Sequence, residues 1–189
     1  MNKKLIVGLV GEKGGGKGTF VDLLKELNPT LKIDRFRSSD ILNETLKVWD
    51  ISSTRENLSK LAVSMDQTYG LGTLTHAMEQ MIKNSQAEVV FFDGVRWKTD
   101  VKMLKKFPQS LIVYVTANPQ LRYERTKARK EKAGEDKTNF EQFMEEEKAH
   151  TEVFISQIGA SADFTITNEE SLEEFKTQVQ QFIKQYLSH

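Results

Sequence analysis

Residues 5–20 read LIVGLVGEKGGGKGTF. Leu5–Val10 is a short apolar run ending in glycine, the pattern of a buried strand. Five glycines then fall within positions 11–18, with Lys13 and Lys17 among them. Beyond them Phe20, Leu23, Leu24 and Leu27 recur at i, i+3, i+4 and i+7, one face of a helix. Strand, glycine-rich turn and helix in that order make a cradle for anionic oxygens. Glycine admits positive φ and lets backbone approach a ligand closely, and the helix N-terminus presents unpaired N–H groups. We read Gly11, Gly14, Gly15, Gly16, Lys17, Gly18, Thr19 and Phe20 as a phosphate-binding loop. Lys17 is expected to set its ammonium against β- and γ-phosphates, and Thr19 to offer a hydroxyl toward Mg²⁺.

The rest of the chain repeats the alternation. Leu31–Arg37, the stretch EVVFF at 88–92, LIVYVT at 111–116 and DFTIT at 163–167 read as further strands. Helical patterns separate them. One begins at Ile41. A second is capped by Ser53 with Glu56, and a third runs through Leu74, Ala77, Met78 and Met81. Others lie near Val101–Lys106 and from Pro119, and one is expected from about Thr138 to Ile155 with Thr138 and Glu141 as its box. The last is capped by Ser171 with Glu174. Five short apolar strands separated by helices predict an α/β fold, a parallel sheet covered on both faces. Ligands bind beyond the carboxyl ends of such strands.

Composition sets the outer bounds. The chain has 189 residues, enough for one domain, and its 27 basic and 27 acidic side chains cancel. No global field draws it to nucleic acid or an anionic membrane, and neither is expected as a partner. Cysteine is absent, which excludes disulfides and thiolate metal sites and fits a reducing cytoplasm. No stretch approaches the ~18 apolar residues of a membrane-spanning helix. His76, His150 and His189 are scattered and lack metal-ligand spacing.

The loop carries Gly18 between Lys17 and Thr19, and this GxxGxGKGT form resembles adenylate kinase and related nucleoside monophosphate kinases of the P-loop class. SSDIL at 38–42 resembles the start of their acceptor-binding region. FFDGVR at 91–96 resembles their strand-end Asp-Gly-…-Arg motif, one residue shorter. RYERTKARK at 122–130 resembles their lid, and ADFTITN at 162–168 their last strand and base-side turn. DGVR, the arginine spacing and the SLEEF ending look closest to an archaeal family related to adenylate and dephospho-coenzyme A kinases. The resemblance implies a three-layer P-loop nucleotide kinase fold with strand order 2-3-1-4-5 and a short helical lid. It implies one domain over 1–189, with an acceptor-binding helical region at about 38–84 and the lid at about 122–150. It further implies ATP and Mg²⁺ as cofactors, a small-molecule phosphate acceptor as partner, and a monomer or homodimer.

Phosphoryl transfer asks for position and positive charge. Asp93 ends an apolar strand, where a carboxylate can hold Mg²⁺ through its waters; the alternative is a turn-forming Asp-Gly pair. Arg96 suits an acceptor phosphate or the transferred group; surface pairing is its alternative. Arg122, Arg125 and Arg129 fall at i, i+3 and i+7, either lid arginines over the phosphates or a solvated basic face. Asp40 orients the acceptor or caps a helix. Arg55 reaches an acceptor phosphate or stays at the surface. Asn168 follows the last strand, where the resemblance implies contact with the base or its loop. Lys13 stands where adenylate kinases often carry proline, and Asn43 where they place an acceptor-binding arginine, so Arg37 or Arg55 is left to supply that charge. The expected activity is ATP-dependent phosphotransfer to a nucleotide or nucleotide-like molecule. The alternatives are a dephospho-coenzyme A-type kinase and a nucleotide-gated ATPase acting on a partner.

Overall fold

In the computed structural model, which describes residues 4–129, 138–148 and 152–187, Leu5–Val10 forms β1 at the centre of a five-stranded sheet. Ile33–Arg37 (β2), Val89–Asp93 (β3), Ser110–Thr116 (β4) and Phe164–Thr167 (β5) complete it in the order β2-β3-β1-β4-β5. Every pairing is parallel, as expected for strands joined by helical crossovers. The helices are α1 (Lys17–Leu27), α2 (Ser38–Val48), α3 (Arg55–Tyr69), α4 (Thr73–Asn84), α5 (Lys98–Leu104), α6 (Pro119–Arg129), α7 (Phe140–Glu146), α8 (Ile155–Gly159) and α9 (Leu172–Tyr186).

The strands bury both faces, so each side of the sheet grows its own core. Val7, Leu9 and Phe91 pack with Phe20, Leu24, Phe175 and Phe182 from α1 and α9. Ile6, Val10, Val90 and Phe92 pack on the other side with Met78, Ile82 and Leu104 from α4 and α5, and with Ile158 from α8. Alternate residues of one strand thus serve opposite layers. Phe20 belongs to the first core. Its side chain is 0% exposed and meets Phe91 and Phe182 edge-to-face at 5.9 and 5.2 Å. Its amide donates to the Gly16 carbonyl within the helix. The side chain therefore anchors the loop to the core.

Several boundaries differ from the sequence reading. Thr54, one residue after Ser53, caps α3, its hydroxyl accepting from Asn57 N at 3.2 Å. α5 begins earlier, at Lys98, because the Asp100 carboxylate accepts from the N–H groups of Arg96 and Trp97. The single helix expected over 138–155 is instead α7 and α8. Asn139 and Gln142 form the capping pair at the start of α7. That helix stops at Glu146, within a run of three glutamates that opposes the negative end of the helix dipole. The expected acceptor region corresponds to α2, α3 and α4. Of the expected lid, residues 130–137 and 149–150, including the polar segment after Arg129 and His150, lie outside the described residues, as does His189.

No described helix is long and apolar enough to cross a membrane. The Phe20 anchor gives a direct test of the core. Phe20→Ala should lower the unfolding free energy by about 3–5 kcal/mol, the range for truncating a fully buried phenylalanine, read from the midpoint shift in urea at constant m.

Candidate functional site

The phosphate-binding loop sits at the carboxyl end of β1, and its conformation is one that only glycine accommodates. Gly14 has φ 79°, and a Cβ there would come within 2.4 Å of the Arg122 carbonyl oxygen on α6. Gly16 has φ 105°, and a Cβ there would meet the Asn168 amide at 2.3 Å. Gly16 is also the N-cap of α1 and brings no capping side chain, so the first N–H groups of the helix keep their donors for an anion. The Lys17 ammonium folds back over the loop and donates to the carbonyls of Gly11 at 2.6 Å and Glu12 at 3.0 Å. Burial pushes its pKa down, the Asp93 carboxylate pulls it back up, and the Arg96 guanidinium pushes it down again. Lys17 therefore feels both Asp93 and Arg96 electrostatically. Thr19 is exposed on the first turn of α1.

Two braces, of which the sequence reading named only Asn168, fix the loop to the sheet. The Glu12 carboxylate accepts from the Tyr114 hydroxyl at 2.5 Å and from the Thr116 hydroxyl at 2.8 Å, both on β4. Burial, followed by that bond to Glu12, pushes the Tyr114 phenol up to about 12. On the other flank Asn168, just past β5, donates from its backbone to the Thr116 carbonyl at 2.8 Å and from its side chain to the Gly15 carbonyl at 3.1 Å. The Asn168 carbonyl accepts from Arg125 Nη1 at 2.7 Å. Asn168 and Arg125 thus meet, next to the loop.

The arginines do not act as one face. Arg122 is 4% exposed; it donates from Nε to the Ala117 carbonyl at 2.8 Å and forms a two-pronged pair with Glu147. Its guanidinium also lies 5.8 Å from the centre of the Phe143 ring. Arg122 thus braces α6 against the C-terminal end of α7. Arg129 is exposed at the end of α6. Arg96, beyond β3, is 44% exposed at its side chain and pairs with Glu152.

Asp93 is buried at the end of β3, and its Oδ2 accepts from Nε and Nη2 of Arg35 on β2 at 2.9 and 2.5 Å. Its Oδ1 makes no hydrogen bond among the described residues. Asp40 lies in the first turn of α2 and accepts from the backbone N–H of Arg37 at 3.2 Å and from its Nε at 3.1 Å. That is the helix-capping use of the residue. Arg55 opens α3, and its side chain lies outside the described structure. Among the described residues no three His, Asp or Glu side chains gather as a metal site. Asp93, already paired with Arg35, and the exposed Thr19 hydroxyl in the first turn of α1 are the oxygen groups that would be offered to a divalent cation arriving with phosphates.

Residues 10–143 match the family model of the AAA domain. A UPF0200 protein of Sulfurisphaera tokodaii is 31% identical over 96% of this chain and 97% of its own length. One from Methanocaldococcus jannaschii is 24% identical over 98% and 92%. Among solved structures, shikimate kinase from Bacteroides thetaiotaomicron superposes with a TM-score of 0.62 at 12% identity, covering 96% of this chain and 97% of that one. Shikimate kinase from Acinetobacter baumannii, solved with shikimate, gives 0.55 at 15% identity over 99% and 97%. These likenesses establish the fold.

The Glu12 brace has a pH signature. An unfolded tyrosine ionises near pH 10, whereas the folded Tyr114 holds its proton to about pH 12. The folded state therefore binds more protons in that window, and stability falls as pH rises through it. Tyr114→Phe should remove this contribution. The stability advantage of the wild type over the variant, measured by urea titration, should be full below pH 10 and decline toward pH 12.

Proposed function

This chain belongs to the AAA domain family and, over 96% of its length, to the UPF0200 proteins, and from that premise we propose that it is an ATP- and Mg²⁺-dependent phosphotransferase acting on a nucleotide or nucleotide-like small molecule. One observation carries the reading. The part-buried Lys17 ammonium is held against loop carbonyls at the N-terminus of α1, within electrostatic reach of Asp93 and Arg96. A triphosphate offers that ammonium better partners than two carbonyls, and the uncapped N-terminus of α1 accepts further anionic oxygens. Mg²⁺ brought by the nucleotide would supply further positive charge to the phosphates, with Asp93 and Thr19 as the residues that would hold it.

Each residue then has a defined task. Gly11, Gly14, Gly15, Gly16 and Gly18 line the phosphates, Lys17 neutralises the transferring group, and Asn168 with Arg125 supports the nucleotide side. Arg96 faces the acceptor. It is held by Glu152 and half exposed, so its fork can turn to an incoming phosphate at small cost. Asp40 is engaged as a helix cap by Arg37, which favours an acceptor that is already an anion and needs no general base. Arg55 is left as a second acceptor cation. The shikimate kinases share the fold alone, so the acceptor is assigned from this chain's own charges.

Lys17→Ala should abolish transfer and weaken ATP binding, read by acceptor-dependent ADP release and by calorimetry. Unchanged ATP consumption in that variant would sink the assignment. Arg96→Ala should raise the acceptor KM or lower kcat while nucleotide affinity stays within about twofold. AMP should be a poor acceptor, because Asn43 removes a guanidinium that an AMP phosphate would need. A steady-state panel with AMP and with dephospho-coenzyme A checks this, and AMP proving the best acceptor would move the acceptor site elsewhere.

A further inference from the structure

Arg35 has no role in the function as derived above, yet it is the ion-pair partner of Asp93. Its side chain crosses from β2 to the end of β3 and donates twice to Asp93 Oδ2. Its Nη1 makes no hydrogen bond among the described residues. Gly18, the residue after Lys17, faces it: a Cβ built there would lie 3.7 Å from both Nη1 and Nη2. The guanidinium is thus wedged between the first turn of α1 and the strand-end carboxylate. The pair is mostly shielded, with 25% of the Arg35 side chain and 5% of the Asp93 side chain exposed.

Those are the two points from which P-loop NTPases ordinarily hold their divalent cation: a Ser or Thr hydroxyl directly after the lysine, and an Asp on a neighbouring strand. Here the first point is a glycine with no ligand atom to offer, and the second is already ion-paired. We infer that the Arg35 guanidinium is a resident cation at the metal position, which binds the terminal phosphates of a nucleoside triphosphate together with Lys17 and makes that binding nearly independent of Mg²⁺. The inference rests on the phosphate-loop reading and deepens it.

The chemistry favours this arrangement. A guanidinium presents a planar fork of donors that matches phosphate oxygens, and Asp93 holds one edge of it rigidly. The free Nη1 points to the N-terminus of α1, where anionic oxygens are already attracted. Gly18 admits this: in that direction only a Cβ fits before contact with the guanidinium, so a longer side chain would press it away. Turnover still gains from a divalent cation, which brings two charges where Arg35 brings one. Affinity for the nucleotide does not depend on it.

The test is isothermal titration calorimetry with a non-hydrolysable ATP analogue, once in excess MgCl2 and once in excess EDTA. For the wild type the two dissociation constants should differ by less than about fivefold, and for Arg35→Gln by more than about fivefold with the Mg²⁺ arm tighter. A wild-type ratio above that bound overturns the inference, and so does an equal ratio in wild type and variant. Should circular dichroism show Arg35→Gln unfolded, the wild-type ratio decides alone. No binding by the wild type in either buffer, unaltered by Lys17→Ala, would bring down the phosphate-loop reading itself and the inference with it.

Discussion

The Cα atoms of Gly14 and Gly16 carry only hydrogens because there is no space for more: the α6 carbonyl of Arg122 stands over one and the Asn168 amide over the other. This close approach holds the loop between α6 and the turn after β5. Glu12 ties its opposite flank to β4 through two hydroxyls. A loop gripped from both sides has lost its conformational freedom before any ligand arrives, so binding does not have to pay for ordering it. The conformation so fixed is the one that turns the N-terminus of α1 and the Lys17 ammonium toward a common point.

The charges around that point are arranged in pairs. Asp93 is matched with Arg35, Glu152 with Arg96, and Glu147 with Arg122. Their exposures separate their uses. Arg122 is sealed, and removing Glu147 would leave a buried cation unpaired, a strongly destabilising change. Arg96 is half in solvent and its pair contributes little to stability, so it is available to exchange one anion for another. Arg35 lies between these extremes, anchored by one edge and open by the other. A uniform basic face would have repelled itself; three cations with three separate acids do not.

The parts of this arrangement that were legible in the sequence are those encoded locally. The strands of four to seven residues, the glycine-rich turn, the helix stripe of α1 and the Ser171–Glu174 cap of α9 each reveal themselves within one short window. The site residues that stayed hidden are those whose meaning depends on a distant partner. Arg35 meets Asp93 across 58 positions, and Glu12 meets Tyr114 and Thr116 across 102 and 104. Glu12 offered one faint signal, an acid inside a loop built for anions. The burial of Arg122 was hidden for a related reason: i, i+3 spacing puts it on one face with Arg125 but does not say which of them the rest of the chain covers. The helix expected over 138–155 failed because apolar spacing alone takes no account of three glutamates at a helix end.

Asn168 follows β5, an edge strand that among the described residues pairs with β4 alone. The loop it clasps lies 153 positions earlier. The anion cradle is therefore opened by one segment of the chain and closed by another far downstream. During synthesis the glycine turn emerges long before its brace, and closure waits for a contact of high sequence separation, the slow kind to form. The same separation makes the cradle a gauge of completeness, since a chain that has not docked β5 has a loop with only one flank secured.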